Sequence, residues 1–310
     1  MAGLFLDCCG YTKEDAIKLV PDLTESPRSS GLVVAKATLG SMDERLPVAR
    51  KEETREDGSK YTGEWLDEKL HGEGCLVYPD KSRYVGQFAE DNFHGQGQYV
   101  HTDGSVYEGQ WEKGECHGKG SLKRAADGST YVGEWKNNLT HGEGKETWAD
   151  NTVYEGQHEL GNKAGKGVFT WPDGSAYKGQ FVNNVLQGEG VHTWLDGRKY
   201  VGQWKGQKMH GTGVFTYVDG RKYDGEYDDD RKSGHGTFTW PDGRSHVGQW
   251  RNGKQHGQGT FTDRAGMQKT GEWDDGIRLR NGLEEDASQA TSMLSGSPER
   301  VSTLKSPTGG

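Results

Sequence analysis

Long apolar runs are missing from this chain. Leu4 to Leu6 is too short for the apolar region of a secretory signal, and no segment approaches the roughly 20 residues of a membrane-spanning helix. Cysteine is scarce. Cys8, Cys9, Cys75 and Cys116 show neither C-x-x-C nor disulfide-framework spacing, which points to a reducing, cytoplasmic compartment and leaves the sequon at Asn138-Leu139-Thr140 without meaning. Positive charge is also short: 38 Lys and Arg stand against 47 Asp and Glu, a net −9. A nucleic-acid binder would carry a basic stripe, so that partner is excluded, and electrostatic attraction to anionic lipid is weakened. Only 30% of the residues are hydrophobic, while 49 are Gly, 10 Trp and 13 Tyr. Stability then has to come from stacked aromatics, each unit burying its face against its neighbours.

Those aromatics recur at a fixed period. The stretch from Tyr200 to Lys222, YVGQWKGQKMHGTGVFTYVDGRK, returns with first residues at Tyr61, Tyr84, Tyr107, Tyr131, Tyr154, Tyr177, Tyr223, His246 and, truncated, Lys269. Each step is 23 residues except that from Tyr107 to Tyr131, which is 24. A constant period outranks any local motif. The frame Y-x-G-[E/Q]-[W/F/Y], five variable residues, H-G-x-G, four residues ending in an aromatic, then x-D-G resembles the MORN repeat (membrane occupation and recognition nexus).

Within a copy the alternation is that of strands. Tyr200, Gly202 and Trp204 share one face, and Gly211, Gly213, Phe215 and Tyr217 repeat the device on the next strand. Removing the side chain between two aromatics opens a slot over the glycine backbone, where a ring from the adjacent strand can lie flat. Asp219-Gly220 supplies the positive φ angles of a tight hairpin turn into the next copy. The expected fold is all-β: an elongated, single-layer antiparallel β-meander, a repeat ribbon of β-hairpins over residues 57–282. The Glu or Gln after the strand glycine, such as Gln203, is expected to pair across strands on the polar face.

Outside the frame, residues 1–56 form an N-terminal extension, mostly irregular, with a short helix at about 13–20 opened by Thr12 and Asp15 and stopped at Pro21. Cys8 and Cys9 are candidates for S-palmitoylation, although Gly3 is one place too late to add a myristoyl anchor. Residues 283–310 read as a disordered Ser/Pro/Gly tail in which Ser297 and Ser306 precede prolines as candidate phosphorylation sites. Lys81 and Asn151 replace the turn glycine, an extra residue near Ala125 and Ala126 lengthens one turn, and His158 with Ala164 marks the most degenerate complete copy. A bend in the ribbon, if any, is expected at 154–165.

Little in the chain points to chemistry. His71, His94, His117, His141, His210 and His256 recur one repeat apart, roughly 10 Å, too far to share a metal ion. The run from Gly114 to Ser121 has the wrong spacing for a P-loop, and Asp228, Asp229 and Asp230 lack the closing Glu of a calcium loop. In MORN-containing lipid kinases and lysine methyltransferases the catalytic domain lies beyond the repeats. Here only about 28 residues follow, so no enzyme, catalytic residue, metal or cofactor is expected.

The resemblance implies a non-catalytic scaffold or adaptor for partner proteins, in a cytoskeletal, ciliary or membrane-contact setting, and one able to form homodimers. Trp65, Trp111, Trp135, Trp204 and Trp250 are the expected partner-binding anchors, on the argument that a single-layer sheet leaves aromatic surface exposed. The alternative is a peripheral phosphoinositide-binding module that uses Lys205, Lys208, Arg221, Lys222, Arg244 and Arg251 against an anionic membrane surface.

Overall fold

A computed structural model describes residues 47–280 and 283–284. The helix at 13–20, Cys8, Cys9, Ser297 and Ser306 lie outside them. The described residues are all-β, without a helix among them, and divide into two compact units. One runs through Thr102 and includes Gln110–Gly114; the other holds Asp103–Gly109 and the chain from Glu115 onward.

In the first unit Val48–Thr54 pairs antiparallel with Lys60–Leu66, followed in order by Lys69–Val77, Arg83–Ala89 and Asn92–Val100. In the second, the meander runs from Glu115–Lys123 to Gln268–Asp274, each strand pairing with those before and after it. Ile277–Arg280 and Leu283–Glu284 close it, so the first two residues of the expected tail are paired. Val48–Thr54 is a strand inside the stretch expected to be mostly irregular. Its sequence, VARKEET, is charged and largely exposed, so it carries no alternation to read. It forms because it satisfies the open backbone edge of Lys60–Leu66.

Two devices shape every copy. In the copy at Tyr200 the buried tyrosine ring crosses from its own strand onto the partner strand, covering Gly202 and Gly213, which face each other in the ladder. A methyl group on Gly213 would lie 2.5 Å from the ring carbons. The slot over Gly213 is therefore filled, as expected, by a ring from the adjacent strand, and the same ring also reaches over Gly202 of its own strand. Its hydroxyl donates to the Gln203 carbonyl at 3.0 Å. Beyond the glycine pair the register slips, so that Trp204 faces Met209. Gly211 takes φ +66° at this bulge, and the Gln203 side chain folds over it to accept the Thr212 N–H at 3.0 Å. Gln87, Gln157, Gln180 and Glu226 do the same in their copies. The recurring Glu or Gln is thus a lock on the bulge backbone, and Gln87 also makes the expected cross-strand pair, donating its amide N–H to Glu73 at 3.2 Å.

The turns also differ from expectation. Tight two-residue turns with both φ positive lie inside each copy, as at Gly206-Gln207, Asn183-Asn184 and Asp229-Asp230. At the Asp-Gly turn between copies only the glycine is left-handed, φ +85° at Gly220, and its N–H donates to the Tyr217 carbonyl at 3.0 Å. Asp219 instead accepts the Arg221 N–H at 3.1 Å. Lys81 and Asn151 do stand in for the turn glycine, at φ +73° and +67°. The extra residue in the turn near Ala125 shifts the bond, so that Gly128 donates to Arg124 four residues back. No break occurs at 154–165: the register from Val153–Glu159 to Asn162–Thr170 matches that of the other hairpins, and one buried cluster runs from Trp148 to Trp250.

Candidate functional site

The expected anchor rings occupy the second layer of this packing. Trp204 stands edge-on between Tyr200 of its own copy, 5.2 Å and 87°, and Tyr177 of the copy before, 5.3 Å and 85°. The same T-shaped alternation continues through Phe181, Tyr227 and Trp250. His158 takes the position in its copy, 5.1 Å from both Tyr131 and Tyr154, which is why the degenerate copy does not interrupt the ladder. The indole N–H groups of Trp204, Trp250, Trp135 and Trp111 donate to a glycine carbonyl of the preceding copy at 3.3, 3.1, 3.1 and 3.0 Å. Trp65, in the first copy, has no such carbonyl, and Arg50 lies 4.9 Å over its ring instead. All five are buried, between 2% and 9% exposed. The anchor reading of these residues is corrected accordingly: sheet and neighbouring tyrosines already cover them.

A second row of aromatics precedes the turns between copies, at one edge of the second unit. Trp171 and Trp194 are only partly buried there, and the turn residues beside Trp194 and Tyr217 are open, Leu195 71% and Val218 66% exposed. Successive turns stack. Leu195 approaches the Gly174 position, and Pro241 approaches that of Gly220. Arg198, Arg221 and Arg244 lie over Trp194, Tyr217 and Trp240 at 5.5, 4.9 and 5.5 Å, held by Asp196, Asp219 and Asp242 of the same turns. This edge is hard to separate in the sequence because its aromatics occupy the same repeat as the ladder rings. The signal was the apolar residue following each aromatic: Pro172, Leu195, Val218 and Pro241.

A family model for the MORN repeat matches residues 61–83, 84–106, 107–128, 131–153, 154–176, 177–197, 200–220, 223–243 and 246–268. The chain belongs to the MORN-repeat family. The truncated copy from Lys269 falls outside the match. No curated protein matches the chain. Among solved structures, the TCP10 domain of Danio rerio CPAP, in complex with a peptide of Danio rerio STIL, is 12% identical, with 76% of this chain and 98% of that one covered and a TM-score of 0.41. The SAS-4 (dCPAP) TCP domain of Drosophila melanogaster, in complex with a proline-rich motif of Ana2, is 12% identical over 69% and 99%, with a TM-score of 0.29. Likeness at this level says nothing about what the present chain binds.

The MORN frame also places the cations chosen for lipid. Lys208, Arg221, Lys222, Arg244 and Arg251 are paired with Asp229, Asp219, Asp224, Asp242 and Asp274. Arg244 and then Arg264 hold the Asp242 carboxyl well below its ordinary range. Lys205 and Lys208 flank a turn within a copy, while Arg221 and Arg244 flank turns between copies at the opposite strand ends, so the six do not form one basic face.

Of the recurring histidines, His210 and His256 point Nδ1 at Asp228 and Asp274 of the following copy, at 3.5 and 3.1 Å. Among the described residues, His210, Asp228 and Asp229 are the one group close enough to share an ion. Asp229 is paired with Lys208, and neighbouring Asp230 accepts the Met209 N–H at 2.8 Å, so this acidic turn is spent on joining copies. Cys75 and Cys116 form no disulfide, and burial pushes the Cys116 thiol up to about 12.

Proposed function

We propose that this MORN-repeat chain is a non-catalytic scaffold that binds partner proteins along the stacked turns of its second unit. One observation carries the reading: the ladder rings are saturated by internal contacts, while Leu195 and Val218 stand open beside Trp194 and Tyr217. Apolar and aromatic residues in register at a rigid edge offer a partner's extended or helical segment anchor points at little ordering cost. A cytoskeletal, ciliary or membrane-contact setting, in cytoplasm, belongs to the same proposal, as does self-association into a homodimer.

The test is affinity capture with the full chain and a Leu195→Ser/Val218→Ser variant, both checked for unchanged thermal unfolding. Selective loss of partners from the variant supports the edge as the docking surface; an unchanged partner set refutes it. The paired cations favour protein over lipid. The chain is accordingly expected to stay unbound in flotation with phosphoinositide-containing liposomes at physiological salt, and flotation would instead establish the peripheral-membrane reading.

A further inference from the structure

In each copy one residue faces the second ladder ring across the hairpin. Leu186 faces Phe181 and Met209 faces Trp204, both fully covered. Two copies put lysine there, and they resolve its charge differently. Lys163, opposite His158, lies over Trp148 and Tyr154 at 4.7 and 5.2 Å, and its ammonium donates to Glu146 at 2.8 Å. Glu146 comes from the preceding copy.

Lys232, opposite Tyr227, has the same ring neighbours and more. Its ammonium lies 4.8 Å from the Phe238 ring, 5.4 Å from those of Tyr223 and Trp250, and 5.5 Å from that of Tyr217. The residue in the place of Glu146 is Phe215, buried and apolar. Among the described residues no carboxylate pairs with Lys232, and the charge that acts on it is that of another cation, Arg221. Burial, with Arg221 adding to it, lowers the ammonium to about 8. Ring faces attract a cation but neutralise none of its charge.

We infer that Lys232, at the floor of the ring cage formed by Tyr217, Tyr223, Phe238 and Trp250, is a binding site for a carboxylate, supplied by an Asp or Glu side chain of a partner protein segment. The inference rests on the proposed scaffold function and adds its specificity: the partner segment carries an acidic residue among apolar ones. Charge complementarity selects this occupant, since the equivalent lysine, Lys163, is paired with a carboxylate that its own chain supplies, whereas Lys232 has none. The carboxylate would accept a charge-assisted hydrogen bond in a site with little water, where such a bond is strong.

Fluorescence anisotropy of the full chain with a fluorescein-labelled decapeptide of alternating Glu and Ala, and with its Gln counterpart, tests this at physiological salt. Lys232→Met is the decisive variant because Met209 already occupies the same position, so the fold should persist; thermal unfolding verifies it. Lys163→Met is the control. Binding of the Glu peptide that is lost about tenfold or more in K232M, retained in K163M and absent for the Gln peptide is expected. Equal binding by K232M, equal binding of the Gln peptide, or no binding of the Glu peptide to the native chain overturns the assignment. The Leu195→Ser/Val218→Ser capture reads the scaffold function separately, so that edge can succeed while this carboxylate site fails.

Discussion

Tyrosine and glycine are a single structural unit in this protein. Tyr200 has its ring where a side chain on Gly213 would otherwise stand, so Gly213→Ala must eject the ring or spread two strands. A loss of several kcal/mol is expected from denaturant titration, against about 1 kcal/mol for Tyr200→Phe, which removes only the hydrogen bond to Gln203. Three ladder and cage positions carry histidine, and His158, His192 and His246 are buried with neither ring nitrogen hydrogen-bonded. Burial holds all three down at about 4. Unfolded, each would titrate near its ordinary value of about 6.5, so between these values the unfolded chain binds protons that the folded chain does not. Stability is therefore complete above about pH 6.5 and falls as pH drops toward 4, by on the order of 3 kcal/mol per histidine. A His158→Phe/His192→Phe/His246→Tyr variant, restoring residues of the other copies, should lose less stability than the native chain between pH 7 and 4.5 in guanidinium unfolding. An equally steep loss would refute the assignment.

At the scale of the hairpin, the bulge lock and the turns decide register. Gln203→Ala strips the Thr212 N–H of its acceptor and frees Gly211, and a cost of about 1–2 kcal/mol is expected by thermal unfolding. Lys81→Gly works in the other direction. Lys81 holds φ +73° where other copies have glycine, and the substitution should stabilise by about 0.5–1 kcal/mol. The hairpin itself was legible in the sequence, because the two-residue alternation, the glycine pairs and the Asp-Gly dipeptides each leave a local signature. The slip beyond Gly202 was not. It arises from a bond between Gln203 and a backbone amide nine residues away, and side-chain-to-backbone bonds leave no periodic pattern. Likewise the strand Val48–Thr54 exists because a neighbouring edge is open, not because its own residues favour it.

At the scale of the whole molecule, the repeat period announced the family and the β architecture, while the division of aromatic labour stayed hidden. Trp204 and Trp194 look alike in sequence, yet one hangs from the Gly190 carbonyl between two tyrosines and the other lies at the turn edge. Which ring is strut and which is surface depends on the bulge that turns Trp204 toward Met209. The net charge of −9 likewise conceals that five of the six cations expected to face lipid already have a carboxylate, whereas Lys232, outside that set, has no carboxylate partner among the described residues. The ladder tryptophans hold the copies together, and the turn edge is free of that duty. Guanidinium unfolding of Trp204→Ala beside Leu195→Ser separates the two roles. A loss of about 3–5 kcal/mol is expected for W204A, and stability within about 0.5 kcal/mol of the native chain for L195S. Comparable stability in W204A and the native chain would contradict the role given to the ladder tryptophans.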